Sequence, residues 1–271
     1  MTTPTTSTAP ILVTGGTGRL GRLVVPMLQE AGRDVRVLSR HPKEDKDSVR
    51  YLAGDLVENT GIAPAVQGVG TILHLAGAAN AKGDEEGTRN LVREATRAGV
   101  EHLVFISVIG SDRVPLGYLR NKLAAERVVS ESGIPWTTLR AAQVHDLVLM
   151  MVRGMAKLPI VPAPTGLRLQ PVDSHEVAAR LAELTLDKPA GRVADLAGPA
   201  EHAMKDLIRS YLAATGKHRL TMPMRIPGKA GRAYRAGDNL SVKQVSRGTR
   251  TWEEFLAAEV GSKAVPAPRA A

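Results

Sequence analysis

Apolar residues along this chain fall in short unbroken runs rather than in alternation with polar ones. The runs ILVT (11–14), VRVL (35–38), TILHL (71–75) and HLVFI (102–106) each read as a strand, as do 49–53 and 135–139. Runs without intervening polar positions are what strands covered on both faces carry. Between them the apolar period changes to three and four, predicting helices over 19–31, 85–98 and 117–132 and a short one near 62–66. In the helix over 85–98, Thr88, Leu91, Val92 and Ala95 share one face, and Gly32, Gly99 and Gly133 stand where helices end. Strands alternating with helices in this way predict an α/β fold: a Rossmann-type parallel sheet with helices on both faces and ligands at the carboxyl edge of its strands.

Beyond residue 140 the rhythm loosens. Helices are expected at 146–157, 175–186, 205–214 and 251–259, the last capped by Thr251 with Glu254 three positions on. A strand is expected at 192–196. The Pro-rich stretch 158–166 reads as a loop, and 217–250 as a basic, Gly-rich segment.

The first strand runs into TGGTGRLG, with Gly15, Gly18 and Gly21 spaced as G-x-x-G-x-x-G between a strand and a helix. That context suits a dinucleotide phosphate. One glycine permits the turn, one lets the backbone approach the pyrophosphate, one lets helix and strand close, and the helix start offers free N–H groups. The second strand ends in Leu38, Ser39 and Arg40, with no carboxylate to hold a ribose 2′-hydroxyl. Arg40 and Ser39, helped by Arg19, suit a 2′-phosphate, so NADP(H) is expected in preference to NAD(H). Asp55 is expected on the adenine side. The expected cofactor contacts are Gly15, Thr17, Gly18, Arg19, Leu20 and Gly21 in the loop, Ser39, Arg40, Asp55 and Leu56 beside it, and Leu75, Ala76 and Gly77 after the fourth strand. The domain reading is a flexible 1–10, a dinucleotide-binding core over 11–140, a smaller C-terminal substrate lobe mainly over 141–260 and partly interleaved with the core, and a flexible tail at 261–271.

Candidate chemistry sits past the fifth strand. Tyr118 and Lys122, four apart at a helix start, share one face. An ammonium beside a phenol favours the phenolate and lowers its pKa. Tyr118 is expected to protonate a carbonyl oxygen while hydride reaches carbon, with Ser107 orienting that oxygen and Lys122 also holding the nicotinamide ribose. His145 and Leu149 are the expected substrate contacts. His74, inside a strand, reads as core, and Met150, Met151 and Met155 as helix packing or an apolar substrate wall.

These motifs, with GTRNLVREATRAGVEHLVFIS, YLRNKLAAE and SGIPWTTLR, resemble the short-chain dehydrogenase/reductase superfamily, in its atypical NmrA-like branch, over about residues 11–260. The resemblance implies a Ser–Tyr–Lys set at Ser107, Tyr118 and Lys122, the glycine motif at Gly15, Gly18 and Gly21, and an adenine-side aspartate at Asp55. Ser107 and Tyr118 are closer together than in typical members, and Asn90 is the nearest candidate for the fourth catalytic residue. The implied function is NADPH-dependent reduction of a carbonyl, enone or quinone-like apolar substrate. Relatives that bind NADP(H) as non-catalytic redox sensors, and epimerases or isomerases that keep their cofactor, supply the alternatives.

Composition narrows this further. With 43% apolar and 23% charged residues in 271, the chain is ordinary globular material. It has no cysteine, which excludes disulfide, thiolate and iron–sulfur chemistry. The seven histidines form no compact ligand set, so no metal is expected. The net charge of +9 is concentrated in 217–250, where nine Lys/Arg meet one Asp. Only 3% of residues are aromatic, and no helix-turn-helix or zinc pattern accompanies the charge. The expected partner is therefore a small-molecule substrate, not nucleic acid or membrane. A cytoplasmic setting is expected, with monomer or dimer left open.

Overall fold

The computed structural model describes residues 9–41, 44–45, 49–77, 83–241 and 245–264, with side chains to 260. Most of the 1–10 and 261–271 segments, parts of the 41–47 loop and Lys243 of the basic segment lie outside the described residues. In chain order the elements begin with β1 (Ile11–Thr14), α1 (Arg19–Glu30), β2 (Val35–Ser39), β3 (Val49–Ala53), α2 (Ile62–Val66) and β4 (Thr71–His74). There follow α3 (Gly83–Ala98), β5 (His102–Val108), α4 (Gly117–Ser130), β6 (Trp136–Ala141), α5 (His145–Met155), β7 (Ile160–Thr165) and β8 (Arg168–Leu169). The next are α6 (Ser174–Leu186), β9 (Gly191–Arg192), β10 (Asp195–Ala197), β11 (His202–Ala203) and α7 (Met204–Ala214). The last are β12 (Leu220–Arg225), α8 (Gly228–Ala236), β13 (Val245–Arg247) and α9 (Trp252–Ala264).

These elements form two compact units. The first takes residues 1–112, 116–140 and 174–194; the second takes 113–115, 141–173 and 195–271. In the first, β1 pairs in parallel with β2 and β4, β3 with β2, and β5 with β4. The strand order is β3-β2-β1-β4-β5-β6. This is the mostly parallel Rossmann-type sheet with helices on both sides that the uniform apolar runs predict. Leu12, Ile72, Leu91, Leu103 and Phe105 are at most 1% exposed and form one core with α2, α3 and α4. Burying each such side chain stabilises the fold by about 1.5–3 kcal/mol. On the other side of the sheet, α1 packs on α6.

In the second unit β10 pairs in parallel with β13, and Leu196 stands opposite Ala141. Val148, Val152, Leu207, Ile208, Trp252 and Phe255 form its core. The expected reciprocal cap closes α9: Thr251 N donates to Glu254 Oε2 (2.8 Å) and Glu254 N to Thr251 Oγ1 (3.2 Å). The stretch 158–166 is not all loop. β7 runs through it and pairs in parallel with β12, which lies in the basic segment together with α8 and β13. Pro162, Pro164 and Pro223 mask the strands in the sequence, since proline cannot donate to a ladder and is tolerated mainly at edges. Among the described residues no helix is long and apolar enough to cross a membrane.

Candidate functional site

The carboxyl ends of β1, β2 and β4 open onto a cleft of about 450 Å³ within the first unit. Its floor is the glycine loop. Gly15 adopts φ +71°, and a Cβ there would lie 2.7 Å from Ala76 N, so a side chain is excluded both by conformation and by contact. Gly18 precedes α1 as its N-cap, with no acidic residue in the first helical turn. The helix start therefore turns backbone N–H groups and a positive dipole end toward the cleft. Gly21 sits behind the loop: a Cβ would come within 2.4 Å of Gly15 O and Gly16 Cα, so only glycine lets α1 close on β1.

Ten of the expected cofactor residues line this one cleft: Gly15, Thr17 and Gly18; Ser39, Arg40, Asp55 and Leu56; Leu75, Ala76 and Gly77. Arg19, Leu20 and Gly21 belong to the start of α1 behind them. Asp55 is also a turn cap, its Oδ1 accepting from Val57 N (2.7 Å) and Glu58 N (3.2 Å). Asn90, the candidate fourth catalytic residue, serves structure: its Nδ2 donates to Leu56 O (2.8 Å), tying α3 to the cleft wall.

Lys122 lies against Gly77 and Asp84, two residues of the cleft wall. It is 6% exposed, with Nζ 3.2 Å from Asp84 Oδ2 and 5.5 Å from the Phe105 ring centre. A Cβ on Gly77 would lie 3.4 Å from that Nζ and 3.6 Å from Asp84 Oδ1, which places the ion pair directly against Gly77. Tyr118, one turn earlier on α4, is 55% exposed. Its pKa is raised rather than lowered. Removal of water around the phenol is the larger cause and the Asp84 carboxylate the second. Sequence reasoning expected Lys122 to pull the pKa down. It overlooked Asp84, which neutralises the ammonium and itself opposes a phenolate.

Ser107 is 1% exposed, and its Oγ donates to Glu126 Oε2 (2.9 Å). Glu126 in turn accepts from Arg140 Nε (3.0 Å) and Nη2 (2.9 Å), while Arg140 Nη1 reaches Asp112 at 2.8 Å. These hydrogen bonds and charges hold the Arg140 guanidinium above its ordinary pKa against the opposing effect of burial, which is the largest single influence on it. Tyr118, Lys122 and Glu126 are spaced by four on α4, so the register that announces the first two also contains the third.

Beneath the cleft His74 is buried. Thr88 Oγ1 gives its proton to Asp84 O (2.6 Å), so it accepts from His74 Nε2 (3.0 Å), and Nδ1 then accepts from Thr14 Oγ1 (2.6 Å). This arrangement suits a neutral ring. Burial first, and the Lys122 charge second, push its pKa down to about 3. In the second unit, His145 is fully buried against Phe255 (4.9 Å between ring centres) and Trp252 (6.0 Å), with Nδ1 3.8 Å from Asp173. Leu149 joins the same core, whereas Met150 is exposed and Met155 packs against the core. The structure thus places both expected substrate contacts inside the second unit's core.

A family profile described as NAD(P)H-binding matches residues 15–184, and the chain belongs to that family. It therefore binds NAD(P)H, and the cleft's glycine cradle and acid-free helix start suit such a dinucleotide. Over 196 residues the chain is 30% identical to a (4-alkanoyl-5-oxo-2,5-dihydrofuran-3-yl)methyl phosphate reductase of Streptomyces griseus, covering 70% of this chain and 68% of that protein. It is 22% identical to quinone oxidoreductase 2 of Escherichia coli over 215 residues, 76% of this chain and 75% of the relative. Among solved structures, an NADPH-dependent quinone oxidoreductase of Escherichia coli in complex with NADPH superposes with a TM-score of 0.79 at 20% identity, over 92% of this chain and 99% of that one.

Proposed function

We propose that this chain is an NADPH-dependent oxidoreductase of the atypical, NmrA-like short-chain dehydrogenase/reductase type, reducing a carbonyl, enone or quinone-like apolar substrate. The bound dinucleotide supplies a hydride to the substrate carbon. The chain's own groups supply position and a proton. The Gly15–Gly18 loop and the start of α1 receive the pyrophosphate; Ser39 and Arg40 receive the 2′-phosphate; Lys122 anchors the nicotinamide ribose. As the carbonyl π electrons move to oxygen, Tyr118 Oη gives that oxygen its proton, and the resulting phenolate then recovers one from water. The raised pKa keeps the phenol protonated at neutral pH but makes it a weaker acid, so its proton transfer depends on its position one turn before Lys122 on α4. The observation that carries this reading is the Tyr118–Lys122 turn of α4, with the ammonium fixed by Asp84 at the Gly77 wall of the cofactor cleft. The named reductases among the relatives support it, since both of their named substrate types present carbonyl groups.

The test is NADPH oxidation against a panel of carbonyls, enones and quinones beside Tyr118→Phe. Loss of general acid catalysis lowers kcat by about 10²–10⁴-fold while NADPH affinity is kept. Equal turnover in the variant removes Tyr118 from its role. The engagement of Ser107 by Glu126 favours a second reading, a non-catalytic NADP(H) sensor, because the Ser107 hydroxyl is already committed. Tight NADPH binding with no turnover on any panel member would select it.

A further inference from the structure

The second unit holds a separate cavity of about 1020 Å³, built from one face of α7, the end of β7 and the start of β12. Lys205, Arg209, Arg168, Lys217, His218 and Arg219 line it, and no carboxylate does. Arg168 is answered by Glu201 (3.0 Å) and Arg209 by Asp206 (3.5 Å). Lys205, Lys217 and Arg219 meet no carboxylate among the described residues. Three of the cations gathered around the concavity thus stand without a counter-charge among the described residues. Most of the remaining wall is apolar, from Ala163, Leu212, Ala213, Leu220 and Pro223, with Thr165 and Thr221 beside them.

The strand that forms this wall is unusually bare. Every residue of β12 is exposed, Leu220 at 75%, Met222 at 48% and Met224 at 45%, although it pairs in parallel with β7. Parallel strands are ordinarily covered on both faces, and a two-stranded ribbon gains little stability by itself. A ligand that covers the start of β12 must be apolar along its body, and one that satisfies Lys205, Lys217 and Arg219 must be anionic at its head. We infer that this cavity binds a soluble amphipathic phosphate, an anionic head on an alkyl chain, at a site distinct from the nicotinamide cleft.

Calorimetric titration of the full chain, saturated with NADPH, with decyl phosphate below its micellar concentration tests this. One site is expected, binding decyl phosphate at least about 10-fold more tightly than inorganic phosphate or decanol, because each of those offers only half of the match. Lys205→Gln/Lys217→Gln/Arg219→Gln lowers the affinity about 30-fold, at about 3-fold for each exposed cation removed, with an unchanged melting temperature. Lys205→Gln alone gives the single step should the triple variant fold poorly. Arg40→Ala, which weakens the cofactor site, leaves decyl phosphate binding as it was. Any of four results overturns the inference: no binding; equal binding by inorganic phosphate; equal binding by the variants; or loss of binding whenever NADPH is present. Sedimentation with phosphatidic acid vesicles in the absence of monomer binding also overturns it, since the cavity would then belong to a membrane-facing surface.

Discussion

Two alanine substitutions three residues apart separate holding a dinucleotide from holding the fold. Gly18 has φ −76° and ψ −176°, an extended conformation open to any residue, and a Cβ there meets only Gly15 O, at 3.1 Å. Gly18→Ala therefore costs the unliganded fold about 1 kcal/mol as an N-cap change, with Gly15 O giving by a few tenths of an ångström, or about 2–4 °C in Tm for a chain of this size. The added methyl, however, stands in the cleft at the head of α1, at the proposed pyrophosphate site. Losing one charge-assisted hydrogen bond costs about 1.5–3 kcal/mol, so NADPH affinity falls about 10–100-fold. Gly21→Ala works oppositely. Its Cβ falls 2.4 Å from Gly15 O and Gly16 Cα and 2.5 Å from Gly16 C, all main-chain atoms that cannot rotate away. The helix must lift from the strand, an overpacking cost of about 1–3 kcal/mol or more, and Tm falls by up to about 10 °C. Thermal unfolding without ligand, paired with a fluorescence titration of NADPH, reads both. A Gly18→Ala protein that binds NADPH like the parent, or that melts as early as Gly21→Ala, would refute the placement of the phosphate.

Other expectations follow from charge and burial. Arg40→Ala lowers NADPH affinity by about 10-fold and leaves NADH affinity unchanged, as matched titrations would read; equal losses for both would argue against a 2′-phosphate contact. Asp84→Asn leaves the buried Lys122 ammonium unpaired, costing about 3–5 kcal/mol in denaturant unfolding, and it relieves the Tyr118 phenolate of a repulsion, so the alkaline fall in reduction rate moves to lower pH. Stability itself depends on pH through two histidines. His74 is held down to about 3 and His102, chiefly by burial, to about 4, so between those values and 6.5 the unfolded chain binds more protons than the folded one. Their contribution is whole above pH 6.5 and is lost as pH falls, by about 2.7 kcal/mol per pH unit near pH 5 for the pair. Urea unfolding at pH 7 and pH 5 measures this, and a flat profile contradicts it.

The sheet was legible because its strands are apolar throughout, and the glycine loop because its residues are contiguous. The partners of the site were harder to see. Asp84 opens α3 and meets Lys122 on α4; nothing in a local window joins them, and only the packing of α3 on α4 does. Glu126 was available, four residues past Lys122, but its meaning depends on Ser107 and Arg140 reaching it from neighbouring strands. His145 looked like a substrate contact from its place after β6, yet the aromatic rings that enclose it come from α9, near the end of the chain. The ribbon of β7 and β12 was hidden by its prolines.

The return of the chain to the first unit at 174–194 limits how this protein can be divided. A cut after Arg140 keeps the whole glycine loop but removes α6, the helix that covers α1. Val24, Val25 and Leu28 would lose part of their cover, on the very helix whose start is the proposed phosphate site. An exchange of C-terminal halves between relatives therefore preserves the nucleotide end only when residues 174–194 travel with the N-terminal portion, which makes the gene a poor candidate for single-crossover shuffling and a better one for two-point grafts.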